Sequence, residues 1–370
     1  DQITFSKDFG LVQRLLDQTE EFRQLLLAGE PFPSSHFTNL NPYLEKAKLE
    51  GAFLEQDEFQ EIKLALQTLQ LCISFFQKFG ESYPTLKALL GLLLDLDLKL
   101  LREIDQVLDE KGKLRSNASK ELQLIRTQLL YEESRLRKVM ERVFKEARAK
   151  GLVPDDSAMT IRGGRMVIPI AAENKRKLRG FIHDESATGQ TVFMEPEEAL
   201  DINNEIRDLE YMEKREIIRI LTKLTNQLRP NIPALRKATN FLGVFDFIRA
   251  KARFALKTNS VKPILTLERG LSWSDARHPI LEISLKAQGK QVVPLHLNLD
   301  HQKRLLLISG PNAGGKSVAL KTVALLQYML QCGLLLPMHP DSKCSLFDHL
   351  FIDIGDEQSL ENDLSTYSSH

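Results

Sequence analysis

The chain has 370 residues, 42% of them apolar and 27% charged, so it is long enough for more than one domain and ordinary for a globular protein. Its 50 basic and 50 acidic side chains cancel, so an argument for a polyanionic partner must rest on local clustering. Three cysteines (Cys72, Cys332 and Cys344) without C-x-x-C spacing exclude a disulfide framework and a cysteine metal centre, and fit reduced thiols in a cytoplasmic protein.

The N-terminal stretch DQITFSKDFG lacks the basic-then-apolar order of a secretion signal. Residues 1 to about 112 read mainly as helices, with leucine-rich runs punctuated by Pro31, Pro33, Pro42, Pro84 and Gly112. The most apolar run, Leu86 to Leu101, is broken by Asp95, Asp97 and Lys99, which argues against a membrane span.

From Ala118 the apolar residues recur at 3-4 spacing (Leu122, Ile125, Leu129, Leu136, Val139, Val143), with a polar slot at Glu132. That seam predicts a helix of about 33 residues, roughly 50 Å long, in need of a partner. Ala199, Ile202, Ile206, Leu209, Ile220 and Leu224 keep the same spacing until Pro230 ends it. Two such helices flanking one insert predict an antiparallel hairpin, in which Glu132 and Glu213 would lie at similar depth. The insert itself switches period. MTIR, RMVIPIA, LRGFIHD and TVFME read as four short strands of a small antiparallel sheet.

Arg162, Arg165, Lys175, Arg176, Lys177 and Arg179 fall within 18 residues of this insert, 162–179, that contain one acid, Glu173, so six bases less one acid leave a local charge of +5 there. A solvated hairpin face would look the same. At the end of two long helices, however, such charges would meet a duplex through its phosphates, with little sequence preference.

Beyond Val261 the pattern turns α/β. VVPLHLNL and KRLLLIS read as strands, followed by GPNAGGKS and a helix running towards Gln331. Gly310, Pro311, Asn312, Ala313, Gly314, Gly315, Lys316 and Ser317 match G-x-x-x-x-G-K-[ST], whose glycines let backbone N–H groups curl around phosphates. Lys316 would reach the β- and γ-phosphates of ATP, and Ser317 would ligate Mg²⁺. Four fixed positions coincide by chance in about one chain of this size in a hundred, so the motif identifies a nucleotide site. LFIDIGDE at 350–357 has the look of a metal-binding strand. Its acids, Asp353, Asp356 and Glu357, are too far apart and too close behind Lys316 for a Walker B element.

GPNAGGKS, the following VALKTVALLQYMLQCGLLLP and DIGDEQSLENDLSTYSSH resemble the ATPase domain of bacterial MutS proteins. ARHPIL at 276–281 fits the segment that opens that domain. IPIAAENKRKLRGFIHDESATGQTVFMEP with INNEIRDLEYMEKREIIRIL is similar to the second, recombination-suppressing branch of the family. The resemblance implies a mainly α, multidomain chain: helical core 1–115, ascending lever helix 116–155, β clamp 156–196, descending lever helix 197–230, core return 231–261 and a partial P-loop ATPase domain 262–370. It implies that Asn312 senses the γ-phosphate and that Ser365 reaches the nucleotide of a second subunit in a homodimer. It also implies branched DNA as substrate, with the ribosome as a rival partner. A dimerisation scaffold without catalysis is a further alternative.

Two departures from the family set further expectations. Mismatch readers carry a wedge Phe-x-Glu on a separate N-terminal domain, so Phe193-Met194-Glu195 reads as a chance match on a strand. The expected Walker B strand, switch histidine and small nuclease domain do not occur within these residues, so the stretch is expected to bind ATP without turning it over.

Overall fold

The computed structural model describes residues 3–33, 35–93, 96–155, 157–310 and 315–353. In chain order, α1 (Phe9–Leu27), α2 (Asn41–Lys48), α3 (Gln56–Phe79), α4 (Pro84–Ala88) and α5 (Lys99–Val107) precede a long α6 (Lys120–Ala149). Four strands follow: β1 (Thr160–Arg162), β2 (Arg165–Ala171), β3 (Gly180–Glu185) and β4 (Thr191–Pro196). Helices α7 (Glu197–Leu228) and α8 (Ile232–Lys257) come next. Then come β5 (Ile264–Leu265), β6 (Leu271–Ala276), α9 (Pro279–Ala287), β7 (Leu295–Leu299), α10 (Lys316–Gln331) and β8 (Lys343–Cys344).

The chain forms two compact units. One draws on Asp1–Asn41, Leu64–Leu96 and Pro233–His370, the other on Pro42–Lys63 and Asp97–Ile232.

In the second unit, Ser119 starts α6. Its hydroxyl oxygen accepts from the Leu122 amide at 3.0 Å and its proton goes to Glu216 on α7 at 2.6 Å. Arg126 on α6 pairs with Glu213 on α7 at 2.7 Å, and Arg142 pairs with Glu198. Rising numbers on one helix meet falling numbers on the other, so α6 and α7 run antiparallel. Their apolar residues gather in two separate groups. Ile125, Leu129 and Leu209 form the smaller. Leu136, Met140, Val143 and Ile202 join the inward residues of the sheet (Ile168, Ile170, Val192, Met194) in the larger.

Glu132 lies between the two groups, buried, and accepts from Gln128 at 3.0 Å and Arg135 at 3.3 Å. It does not share a level with Glu213, because Glu213 is drawn to Arg126, six positions earlier on α6. A matched charge attracted Glu213 where simple counting from the insert placed it opposite a like charge.

The sheet of this unit has the order β1-β2-β4-β3, with every pairing antiparallel. β2 and β4 alternate into the apolar group, whereas β3 is an edge strand, exposed along its length. A bulge between Ile182 and Asp184 interrupts its register with β4.

The first unit is built on aromatic and aliphatic contacts. Phe32 stacks on Phe245 with centroids 5.7 Å apart, and Phe22, Phe75 and Phe76 meet this pair edge-on. Val12 and Leu16 of α1 pack with Leu326 and Leu330 of α10, and with Trp273, Leu297 and Cys344 of a second sheet. That sheet has the order β5-β8-β6-β7, parallel only between β5 and β8. The indole N–H of Trp273 points at the Cys344 sulfur, 3.1 Å away.

One sequence expectation fails here. VVPLHLNL supplies β7, but residues 303–309 (KRLLLIS) form no strand. No described strand pairs with them, and Leu305 is 95% exposed. An apolar run becomes a strand only where a neighbour takes its backbone groups and a layer covers its side chains. Among the described residues this run has neither.

Candidate nucleotide and nucleic-acid sites

The glycine loop ends in a left-handed turn. Gly315 has φ +83° and precedes the first residue of α10, a backbone that a side chain would strain. Gly310 opens the loop at φ +149°. Pro311, Asn312, Ala313 and Gly314 lie outside the described residues. Lys316 and Ser317 open α10, Ser317 exposed and Lys316 half-buried. The Lys316 ammonium turns back and donates to the Gly310 carbonyl, across the loop that it closes. No acid occupies the first turn of α10, so its positive end is uncompensated there. A cation, a hydroxyl and a helix N-terminus without an acid in its first turn fit, at one place, a phosphate chain with its Mg²⁺.

The far end of α10 is tied down in detail. The Gln331 side-chain amide donates to the Ser6 and Phe347 carbonyls, each at 2.9 Å. Its oxygen accepts from the Phe347 amide at 3.1 Å and from Gln327 at 2.8 Å. Lys251 of α8 donates to the Cys332 carbonyl at 2.8 Å, and Thr19 of α1 donates to that of Gly333 at 3.1 Å. Burial lowers the pKa of Lys251, whose ammonium also sits 4.7 Å from the ring centre of Phe247. Sequence reading missed this anchor. The glutamine pair at Gln327 and Gln331, four apart within an apolar helix, was its one visible sign.

Residues 351–353 are not a strand, and Phe351 is 90% exposed. Asp353 is exposed, while Asp356, Glu357 and Ser365 lie outside the described residues. Among the described residues no group of acidic, histidine or cysteine side chains could hold a metal by itself. No described helix is long and apolar enough to cross a membrane.

The basic residues of the insert divide into two sets. Arg165 turns inward to Glu195, which is fully buried, and donates to both carboxylate oxygens at 2.8 and 2.9 Å. Asn203 donates to the same carboxylate at 2.7 Å, and His183 Nε2 lies 2.5 Å from it. Arg162 pairs with Asp184 at 3.2 Å and covers the Phe193 ring, its guanidinium carbon 4.5 Å from the centroid. Phe193 and Glu195 are therefore engaged within the sheet. Lys175, Arg176, Lys177 and Arg179 are exposed and form no ion pair among the described residues. The surface cation density is thus four side chains, smaller than the local sequence count, because two arginines answer buried or neighbouring acids.

Comparison with known proteins adds to this geometry. A family model described as MutS domain V matches residues 306–370. A protein named Endonuclease MutS2 from Lacticaseibacillus casei is 36% identical over 364 residues, 97% of this chain and 45% of the relative. Its namesake from Carboxydothermus hydrogenoformans is 39% identical over 298 residues, 80% of this chain and 37% of that protein. One from Halalkalibacterium halodurans is 34% identical over the full chain and 46% of its own length. The chain spans just under half the length of the curated relatives that it matches.

Proposed function

Because the chain belongs to the MutS2 branch of the MutS family, we propose that it is the ATP-binding and DNA-binding part of a MutS-type ATPase. Two copies would pair through their nucleotide sites and close on branched or recombination-intermediate DNA. Suppression of homologous recombination is the output of this reading. The observation that carries it is the glycine loop. Gly315 is left-handed, and Lys316 and Ser317 stand at an uncompensated helix N-terminus, a local geometry suited to phosphates. Lys316 and Ser317 would hold ATP and Mg²⁺, which supplies charge neutralisation when bound.

The four exposed cations at 175–179 support the DNA half of the reading. With few aromatic neighbours they would grip the backbone, so affinity would fall steeply with salt. The test is binding of this chain to four-way junctions, linear duplex and purified ribosomes, with and without ATP. Tighter binding to junctions, modulated by ATP, is expected. Preference for ribosomes with no affinity for DNA would overturn the reading.

A further inference from the structure

We propose that the exposed edge strand β3 of the insert sheet stacks an unpaired base of single-stranded DNA on Phe181. The inference rests on the DNA-binding reading above and narrows it to DNA with unpaired segments. Phe181 lies on the edge strand β3 and is 56% exposed. Among the described residues no ring or cation covers it, in contrast to Phe193, which Arg162 shields. An open aromatic ring on an edge strand is a cost that burial would ordinarily remove.

The neighbours of this ring select the partner. Phe181 pairs with Glu195 in register, and the Arg179 carbonyl accepts from the Glu197 amide at 3.1 Å, which continues the same ladder by one step. Side chains two apart on a strand share a face, so Arg179 and Phe181 stand side by side. Lys175, Arg176 and Lys177 come immediately before them, exposed in the turn that leads into β3. A cationic track ending at an open ring fits a sugar–phosphate backbone with one base turned onto the ring.

Gly180 fixes this placement. A Cβ there would lie 2.2 Å from the Glu195 carbonyl oxygen, so the strand can approach β4 only as glycine. The alternative occupant of an edge strand is a strand from another chain. The bulge at Ile182/Asp184 breaks the regular row of donors and acceptors that such an addition needs. Along a paired duplex every base face except those of the two terminal pairs is already stacked, so the ring adds little to its binding.

The test uses the 370-residue chain and three fluorescent probes: single-stranded DNA, blunt duplex of the same sequence, and that duplex with a single-stranded arm. Phe181→Ala is expected to weaken binding about tenfold to the first and third, the range of a lost base–aromatic stack, and to leave the blunt duplex within about twofold. Phe181→Trp should restore affinity, with its emission quenched by single-stranded DNA. The chain's one tryptophan, Trp273, is buried and should not respond. The triple variant Lys175→Gln, Arg176→Gln, Lys177→Gln should weaken all three probes. If Phe181→Ala has no effect or weakens all three equally, while the triple variant still weakens binding, stacking is overturned and the DNA reading stands. If the triple variant changes nothing, the DNA reading falls and takes the inference with it. Binding of single-stranded RNA tenfold tighter than DNA, dependent on Phe181, would overturn the choice of DNA.

Discussion

Arg165 and Glu195 form an ion pair at 2.8 Å in which the carboxylate is fully buried and the guanidinium nearly so. The pair explains why one arginine of a basic cluster is unavailable to a ligand. Arg165→Gln is therefore expected to act on stability. Leaving the Glu195 charge with only His183 and Asn203 should cost about 3–5 kcal/mol, the usual result of removing one partner from a buried pair. Denaturant titration should show the loss, whereas Lys177→Gln should leave the midpoint in place. An Arg165→Gln protein of parental stability that binds DNA less well would assign Arg165 to the surface.

Glu132→Leu should stabilise the α6–α7 hairpin. Glu132 is buried between two apolar groups, with Gln128 and the exposed Arg135 for company. A leucine would make one continuous seam, and replacing a buried charge with a well-packed apolar side chain is neutral or stabilising by about 1–4 kcal/mol. Slower amide exchange at residues 125–140 is the readout. Faster exchange would mean that the carboxylate holds the helices together.

Alkaline pH should unfold the first unit through its thiols. Burial pushes the Cys72 and Cys344 thiols up to about 12, although the Trp273 indole works against the shift at Cys344. An unfolded thiol ionises near 8.5, so between about 8.5 and about 12 the native state holds protons that the unfolded state has released. Stability is complete below that window and falls as pH rises through it, by about 1.4 kcal/mol per pH unit for each thiol. Lys251 acts in the opposite sense, because its lowered pKa makes the native state release a proton first. Comparing Cys72→Ala with the parent between about pH 8.5 and 10.5 cancels that term. The variant should lose one thiol's share of the slope, and an unchanged slope would contradict the assignment.

Lys316→Ala should lower ATP affinity about 10- to 100-fold, the worth of a charge-assisted hydrogen bond to phosphate. The apolar contacts of α10 begin further along the helix, so circular dichroism should not change. Calorimetry gives the affinity directly. Unchanged binding by a folded variant would remove the nucleotide assignment.

Much of this architecture could be read from periodicity. The 3-4 recurrence from Leu122 to Val143 specified a helix because a buried stripe needs that spacing, and RMVIPIA and TVFME specified strands because apolar residues of each are covered. The sequence was least informative where tertiary partners decide. Leu305 to Ile308 carry strand composition, yet β structure needs a neighbour that composition does not name. Arg165 and Lys175 look alike in a charge count, but only Arg165 has a buried carboxylate within reach. The Gln331 anchor joins carbonyls from Ser6 and Phe347, 325 and 16 residues away, and local pattern cannot reveal such a meeting.

Helix α10 is 16 residues long, about 24 Å from the turn at Gly315 to the anchor at Gln331. Its trailing end is held by groups from α1, α8 and the stretch before Phe347. A rod gripped at one end cannot slide along its axis without moving its holders. An axial displacement forced on Lys316 at the open end therefore reaches Thr19 and Lys251 as a push of similar size, and the glycine loop is mechanically in series with the two helices that grip the far end of α10.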